Sequence, residues 1–156
     1  DLWPWTPTGE VSATLTETGF TGAHAVQLGH TTPITTATQP WTSSIEQTIS
    51  VPLTLTHGTF SLVYKVLEAD AISDTLQLSL IGPTSTITYL LPMDGANLYW
   101  AHHWWDVSAW DAPTATVRIE LMHNSLLGQP RVLFDDLSWG SAAPGGVSIY
   151  LPVLRR

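Results

Sequence analysis

The stretch TFSLVYKVLEA, residues 59–69, decides how this chain is expected to fold. Successive side chains of a β-strand point to opposite faces, so apolar residues that recur every second position share one face. A period of two over this length predicts a strand with one buried face and argues against a helix. The face expected to enter the core carries Phe60, Leu62, Tyr64 and Val66.

Eight further runs of the same kind surround this segment, and Gly, Pro, Asp and Asn residues separate them. They cover residues 11–17, 23–30, 45–51, 75–81, 86–91, 98–108, 114–122 and 131–139. Residues 31–42 contain Pro33 and Pro40 and are expected to form a loop. No segment has the periodicity and caps of an amphipathic helix. About nine strands without a helical repeat predict one all-β domain over residues 1–140, an antiparallel β-sandwich.

The C-terminal segment differs from this body. Residues 141–146, SAAPGG, have the composition of a flexible linker. The tail VSIYLPVLRR, residues 147–156, again alternates, and Pro152 restricts such a strand to an edge or a docked peptide. The residues expected to share its apolar face are Val147, Ile149, Leu151 and Val153.

Composition limits the function. The 156 residues include no cysteine, which excludes disulfides and thiolate metal sites, and the net charge is −8 with only five Lys and Arg. So few basic residues cannot neutralise a nucleic-acid backbone. No apolar run is long enough for a transmembrane helix. Because no Gly-x-Ser-x-Gly, HExxH or phosphate-loop motif is present, we expect no enzymatic activity.

The stretch YWAHHWWDVSAW, residues 99–110, concentrates four of the eight tryptophans. On a strand, Trp100, His102 and Trp104 would share one face, opposite His103 and Trp105. His102 and His103 would point apart, so the two are not expected to bind one metal ion.

Three interpretations of this aromatic stretch remain open. In the first, His103, Trp105 and Val107 fill the core while Trp100 and Trp104 pack under loops. In the second, Trp100, His102 and Trp104 form a carbohydrate-binding face, because aromatic planes stack on the C–H-rich faces of sugars. In the third, the same rings form a protein–protein interface, where Trp and Tyr are enriched.

Six segments in order resemble the jelly-roll modules of the carbohydrate-binding and MAM-like type found in bacterial extracellular proteins. They are GAHAVQLG at 22–29, SIEQTISVP at 44–52, FSLVYKV at 60–66, residues 100–110, ATVRIE at 115–120 and VLFDDLS at 132–138. This resemblance covers most of residues 2–139. It implies a jelly-roll β-sandwich and an extracellular or cell-surface location of the bacterial type.

The chain departs from these modules at both ends. They usually begin with a strand bearing an Asn-Gly-x-Phe-Glu-like motif, which is missing before Asp1 and would leave an empty slot beside the first or last strand. The resemblance also implies a structural calcium ion at Asp135 and Asp136, but the missing Glu would be one of its ligands. The other departure is the tail.

Two functions follow from these features. The first is a non-catalytic carbohydrate-binding or adhesive module whose partner is a polysaccharide or glycan. The alternative is a structural subunit of an extracellular filament, whose partners are copies of itself. In that case residues 147–154 would enter a neighbour's sheet, because an open edge is a template for strand addition. The tail could instead pair within its own domain, or serve as a cell-surface attachment signal.

Overall fold

A computed structural model describes residues 2, 4–31, 40–51, 57–70, 72–93, 99–125 and 128–141 of the chain. The tail with Val147, Ile149, Leu151 and Val153 lies outside the described residues, as does the linker after Ser141. The division into body, linker and tail therefore stays a prediction.

Within these described residues, ten strands form two antiparallel five-stranded sheets, so the expected β-sandwich is confirmed. The described residues contain no helix that is long and apolar enough to cross a membrane. Sheet A has the order β1-β4-β9-β6-β7, and sheet B the order β2-β3-β10-β5-β8. The strands are β1 (Thr6–Gly9), β2 (Thr14–Thr16), β3 (Ala25–Gly29), β4 (Trp41–Ser50), β5 (Gly58–Glu68), β6 (Asp74–Ile81), β7 (Thr86–Leu91), β8 (Ala101–Asp106), β9 (Thr114–His123) and β10 (Arg131–Ser141).

The structure differs from the predicted strands most at β1, which is additional, and at β4, which begins earlier. β1 was not predicted, because its sequence Thr-Pro-Thr-Gly has no apolar alternation. Among the described strands it pairs with β4 alone, and Pro7 is compatible with such an edge position. β4 begins at Trp41, inside the predicted loop, because Trp41 pairs in register with His123 of β9 and is buried.

The core lies between the sheets and uses the face of β5 that the alternation predicts. Phe60, Leu62, Tyr64 and Val66 are all buried. Phe60 meets Trp139 of β10 edge to face, with 5.7 Å between the ring centroids. Burial of each large apolar side chain stabilises the fold by roughly 1.5–3 kcal/mol. Sheet A contributes Ile45, Leu76, Leu78, Leu80, Val117, Ile119 and Leu121.

A buried polar pair closes one end of sheet A. Nδ1 of His123 lies 2.5 Å from Oδ1 of Asp74, and both side chains are almost completely buried. The second oxygen of Asp74 accepts the backbone N–H of Asp70 at 2.6 Å, and Trp41 packs on the His123 ring at 5.2 Å. The pair therefore ties β6 to β9 where the sheet would otherwise fray.

The last strand has different neighbours along its length. β3 pairs with β10 only over residues 131–134, whereas β5 accompanies it as far as Ser141. Just after the part of β10 that pairs with β3, Asp136 adopts a positive φ of 45° at an irregularity in the register with β5. Over residues 135–140, no described strand therefore pairs with β10 on its β3 side.

Candidate functional site

Residues 101–106 of the aromatic stretch form β8, the edge strand of sheet B, and the register against β5 orients their side chains. Phe60 pairs with Trp105, Ser61 with Trp104 and Val63 with His102. Because Phe60 points into the core, Trp105 must point inward and Trp104 outward. The expected division of the two faces is therefore present in the structure.

The outward side chains form a row that we call the aromatic face: Trp100, His102 and Trp104. Trp104 exposes 65% of its surface and His102 is also exposed, whereas Trp100 is half-buried. Trp100 directly precedes β8, and an extended backbone of about 3.3 Å per residue would separate it from Trp104 by about 13 Å. Tyr99, immediately before the row, is exposed as well.

The inward side chains pack against the core. The ring of Trp105 stacks on Tyr89 of β7 with 5.0 Å between centroids, and His103 lies 5.4 Å from Tyr64. Val107 is buried. The packing interpretation is therefore correct for these residues, but Trp104 does not pack under a loop.

Trp100 has a partner that sequence analysis missed. The ring of Phe20, from the loop between β2 and β3, lies 5.8 Å from that of Trp100, at an interplanar angle of 56°. Phe20 is itself half-exposed. It belongs to no alternating run, and the only local signal is its position between Gly19 and Gly22.

An acidic residue ends the row. Asp106 is exposed on the same face as Trp104, and its Oδ1 accepts the backbone N–H of Ser108 at 2.8 Å. Hydrogen bonds from the Ser108 side chain and backbone hold the pKa of Asp106 below its usual range. Its carboxylate therefore stays ionised and available as a hydrogen-bond acceptor. Across the sandwich edge, burial and then the charge of Asp106 raise the pKa of Tyr89.

The outer face of sheet A has a different character. Arg118 pairs with Glu46 at 2.9 Å, and Nε2 of Gln77 donates to Glu120 at 2.8 Å. Hydroxyl groups also pair across the strands, as in Thr48 with Thr116 at 2.8 Å. The described strand residues that point outward from sheet A include no aromatic side chain. We call this outer surface of sheet A the polar face. Its polar groups largely satisfy one another, and its described strand residues offer no ring for stacking.

Asp135 and Asp136 hold a loop. Oδ2 of Asp135 accepts the backbone N–H of Phe20 at 2.7 Å and that of Thr21 at 3.0 Å, while its Oδ1 accepts the N–H of Asp136. The Thr21 hydroxyl donates to Oδ1 of Asp136 at 2.7 Å. Calcium takes six to eight oxygen ligands. Over the described residues, no group of three or more His, Cys, Asp or Glu is placed to hold a metal ion. Calcium binding here stays a prediction.

Comparison with known proteins identifies the fold. No protein-family model and no curated protein sequence matches the chain. Among solved structures, it is similar to a family 61 carbohydrate-binding module in complex with β-1,4-galactotriose, at 10% identity, TM-score 0.62 and 89% coverage of both chains. It is also similar to a family 28 module specific for non-crystalline cellulose, at 14% identity, TM-score 0.53 and 88% coverage of both chains.

A similar sandwich occurs inside a much larger protein. The glycoside hydrolase domain of Endo-D from Streptococcus pneumoniae R6 matches 86% of this chain with TM-score 0.61 and 11% identity, but only 21% of that protein is covered. At such identities the likeness concerns the fold. The chain thus has the β-sandwich fold of carbohydrate-binding modules.

The two neighbouring tryptophans of β8 should differ in their contribution to stability. Trp104→Ala should change the free energy of unfolding by less than about 0.5 kcal/mol, because its side chain is largely in solvent. Trp105→Ala should cost about 2 kcal/mol or more, because it removes packing against Tyr89 and Phe60. Urea denaturation of both variants measures the difference. Equal losses would place Trp104 in the core and contradict the register.

The calcium prediction is tested by thermal unfolding. If calcium binds at Asp135 and Asp136, its addition should raise the melting temperature above that in EGTA, by linkage to the folded state. The increase should disappear in Asp136→Asn, where asparagine tolerates the positive φ but lacks the charge. A wild-type melting temperature that is identical in calcium and EGTA would remove both residues from the ligand list.

Proposed function

We propose that the chain is a non-catalytic glycan-binding module of an extracellular or cell-surface protein of the bacterial type. The observation that carries this proposal is the aromatic face, where Trp104 exposes 65% of its surface in line with Trp100 and His102. Exposing such rings to water is unfavourable unless a partner covers them.

The chemistry of the aromatic face suits sugars. A tryptophan plane stacks on the apolar C–H face of a pyranose ring, while hydroxyl groups at its rim need hydrogen-bond partners. His102 between the two tryptophans and Asp106 at the end of the row supply such partners. The length of about 13 Å from Trp100 to Trp104 fits a chain of sugars better than one ring.

Charge narrows the class of glycan. The chain carries a net charge of −8, and Asp106 keeps a negative charge beside the aromatic face. Anionic polysaccharides would therefore be repelled. Neutral glycans are the expected ligands, in line with the β-1,4-galactotriose bound by one structural neighbour and the cellulose specificity of another.

The proposal is tested by calorimetric titration of the chain with soluble β-1,4-galactotriose, cellotetraose and a β-1,3-1,4-glucan. We expect binding to at least one of them. Trp104→Ala should weaken that binding by about tenfold or more, equivalent to ~1.4 kcal/mol, because it removes a stacking plane.

A matched control lies on the other sheet. Leu90 is an exposed apolar residue on the outer face of β7, so Leu90→Ala removes similar exposed surface away from the aromatic face. It should leave the affinity unchanged. Equal losses in both variants, or no binding by the wild-type chain to any of the three glycans, would contradict the proposal.

Self-assembly is a second candidate function, and the pairing of β10 favours it. Over residues 135–140, no described strand pairs with β10 on its β3 side, and such a flank can accept an added strand. In this proposal, residues 147–154 of a neighbouring copy supply that strand. Donation from one copy to the next is a head-to-tail contact, which builds an open filament.

Sedimentation velocity of the full chain and of a version ending at Ser141 separates the two candidates. Strand donation predicts concentration-dependent oligomers for residues 1–156 and a monomer for residues 1–141. Two monomers of equal stability would rule out strand donation and leave the glycan-binding proposal unaffected.

A further inference from the structure

The Phe20 ring makes the aromatic surface angular. Its plane is inclined by 56° to that of Trp100, and the centroids are 5.8 Å apart. Two rings at this angle cannot both lie flat on one plane. They form a corner at one end of the aromatic face, while Trp104 lies exposed at the other.

The position of Phe20 is fixed by its backbone. The N–H groups of Phe20 and Thr21 both donate to Oδ2 of Asp135, at 2.7 and 3.0 Å. The Asp135 side chain is 2% exposed, so these charge-assisted bonds are shielded from water. The Thr21 hydroxyl adds a bond to Asp136, also from β10. Three hydrogen bonds thus attach this loop to the last strand.

The approach of the loop to Asp135 is close enough to require glycine. A Cβ at Gly19 would lie 2.7 Å from the carbonyl oxygen of His24 and 3.1 Å from Oδ2 of Asp135. A side chain at that position would therefore push the loop away from the carboxylate.

The pairing of the strands places this attachment beside the aromatic face. Asp135 pairs with Val63 of β5, and Val63 pairs with His102 of β8, so the three lie in one row across sheet B. Val63 and Leu133 are buried although they belong to the outer side of the sheet. The loop contacts Asp135 through its backbone and Trp100 through Phe20, so it lies on this same side of the sheet.

Packing alone does not explain why Phe20 is there. Half of its surface stays exposed, so its burial contributes little to stability compared with a core side chain. The buried carboxylate therefore holds an aromatic ring in a largely solvated position, next to a second ring. That arrangement resembles a binding surface more than a core contact.

We propose that Phe20 contacts the glycan together with Trp100 and that Asp135 is the residue that positions it. The resulting corner receives a single soluble glycan chain and fits the flat surface of a crystalline polysaccharide poorly. This inference rests on the proposed glycan-binding function and adds a contact residue, a positioning residue and the physical form of the ligand.

A double-mutant cycle tests the proposal. Phe20→Ala, Asp135→Asn and the double variant are titrated, in EGTA to exclude any effect of calcium, with the soluble β-1,4-linked oligosaccharide that the wild-type chain binds best. Each single variant should lose about tenfold in affinity. If Asp135 acts through Phe20, the double variant should bind no more weakly than Phe20→Ala.

A structural role would give a different pattern. If Asp135 merely stabilised the fold, Asp135→Asn would lower the melting temperature without lowering affinity, or its loss of affinity would add to that of Phe20→Ala. Either result overturns the positioning role. Should Asp135→Asn fail to fold, Gly19→Ala replaces it in the cycle, because the added Cβ would displace the loop from the Asp135 carboxylate while leaving the acid in place.

The remaining outcomes separate this inference from the proposed function. Loss of binding in Trp104→Ala with full binding in Phe20→Ala would overturn the inference and retain glycan binding. Absence of binding in the wild-type chain would overturn both. The form of the ligand is tested by comparing the affinity of the protein for microcrystalline cellulose, from its depletion from solution, with its affinity for soluble glucan. An equal or higher affinity for the crystalline polymer would contradict the proposed ligand form, because the corner at Trp100 should prevent flat contact.

Discussion

The register between β5 and β8 determines which aromatic rings of this protein are available to a partner. Phe60 is completely buried, and its pairing with Trp105 fixes the parity of β8. A shift by one residue would move His102 and Trp104 into the core and expose Trp105. Such a shift would also leave the His102 ring between apolar residues, at a cost in desolvation. The core therefore fixes the outer surface of the edge strand.

The carboxylate of Asp135 fixes the position of the loop between β2 and β3. Backbone N–H groups of an irregular segment need acceptors, and Asp135 provides them from the middle of sheet B. The loop thereby acquires a fixed position relative to β8 although it belongs to the opposite edge of the sheet. The polar face of sheet A contrasts with this, since pairs such as Arg118 with Glu46 satisfy each other and present no ring.

Sequence analysis predicted what depends on local periodicity. The alternation predicted the buried face of β5 and divided the side chains of β8 into two faces, because side chains on a strand repeat every two residues. The bounds of β7 also agree with the prediction. Sequence analysis did not predict β1, because a short edge strand with Pro7 needs no apolar pattern. Sequence analysis also did not predict the position of Phe20 beside Trp100. That position depends on Asp135, 115 residues later, and no local pattern carries this information. The calcium ion and the tail remain predictions.

The tryptophan indole N–H signals test the central claim most directly, because the fold divides the described tryptophans between core and surface. During titration with a soluble β-1,4-linked oligosaccharide in a ¹H–¹⁵N correlation experiment, the signals of Trp100 and Trp104 should shift, while that of the buried Trp139 should not. Shifts confined to backbone amides around Glu46 and Arg118 would place the ligand on the polar face and contradict the account.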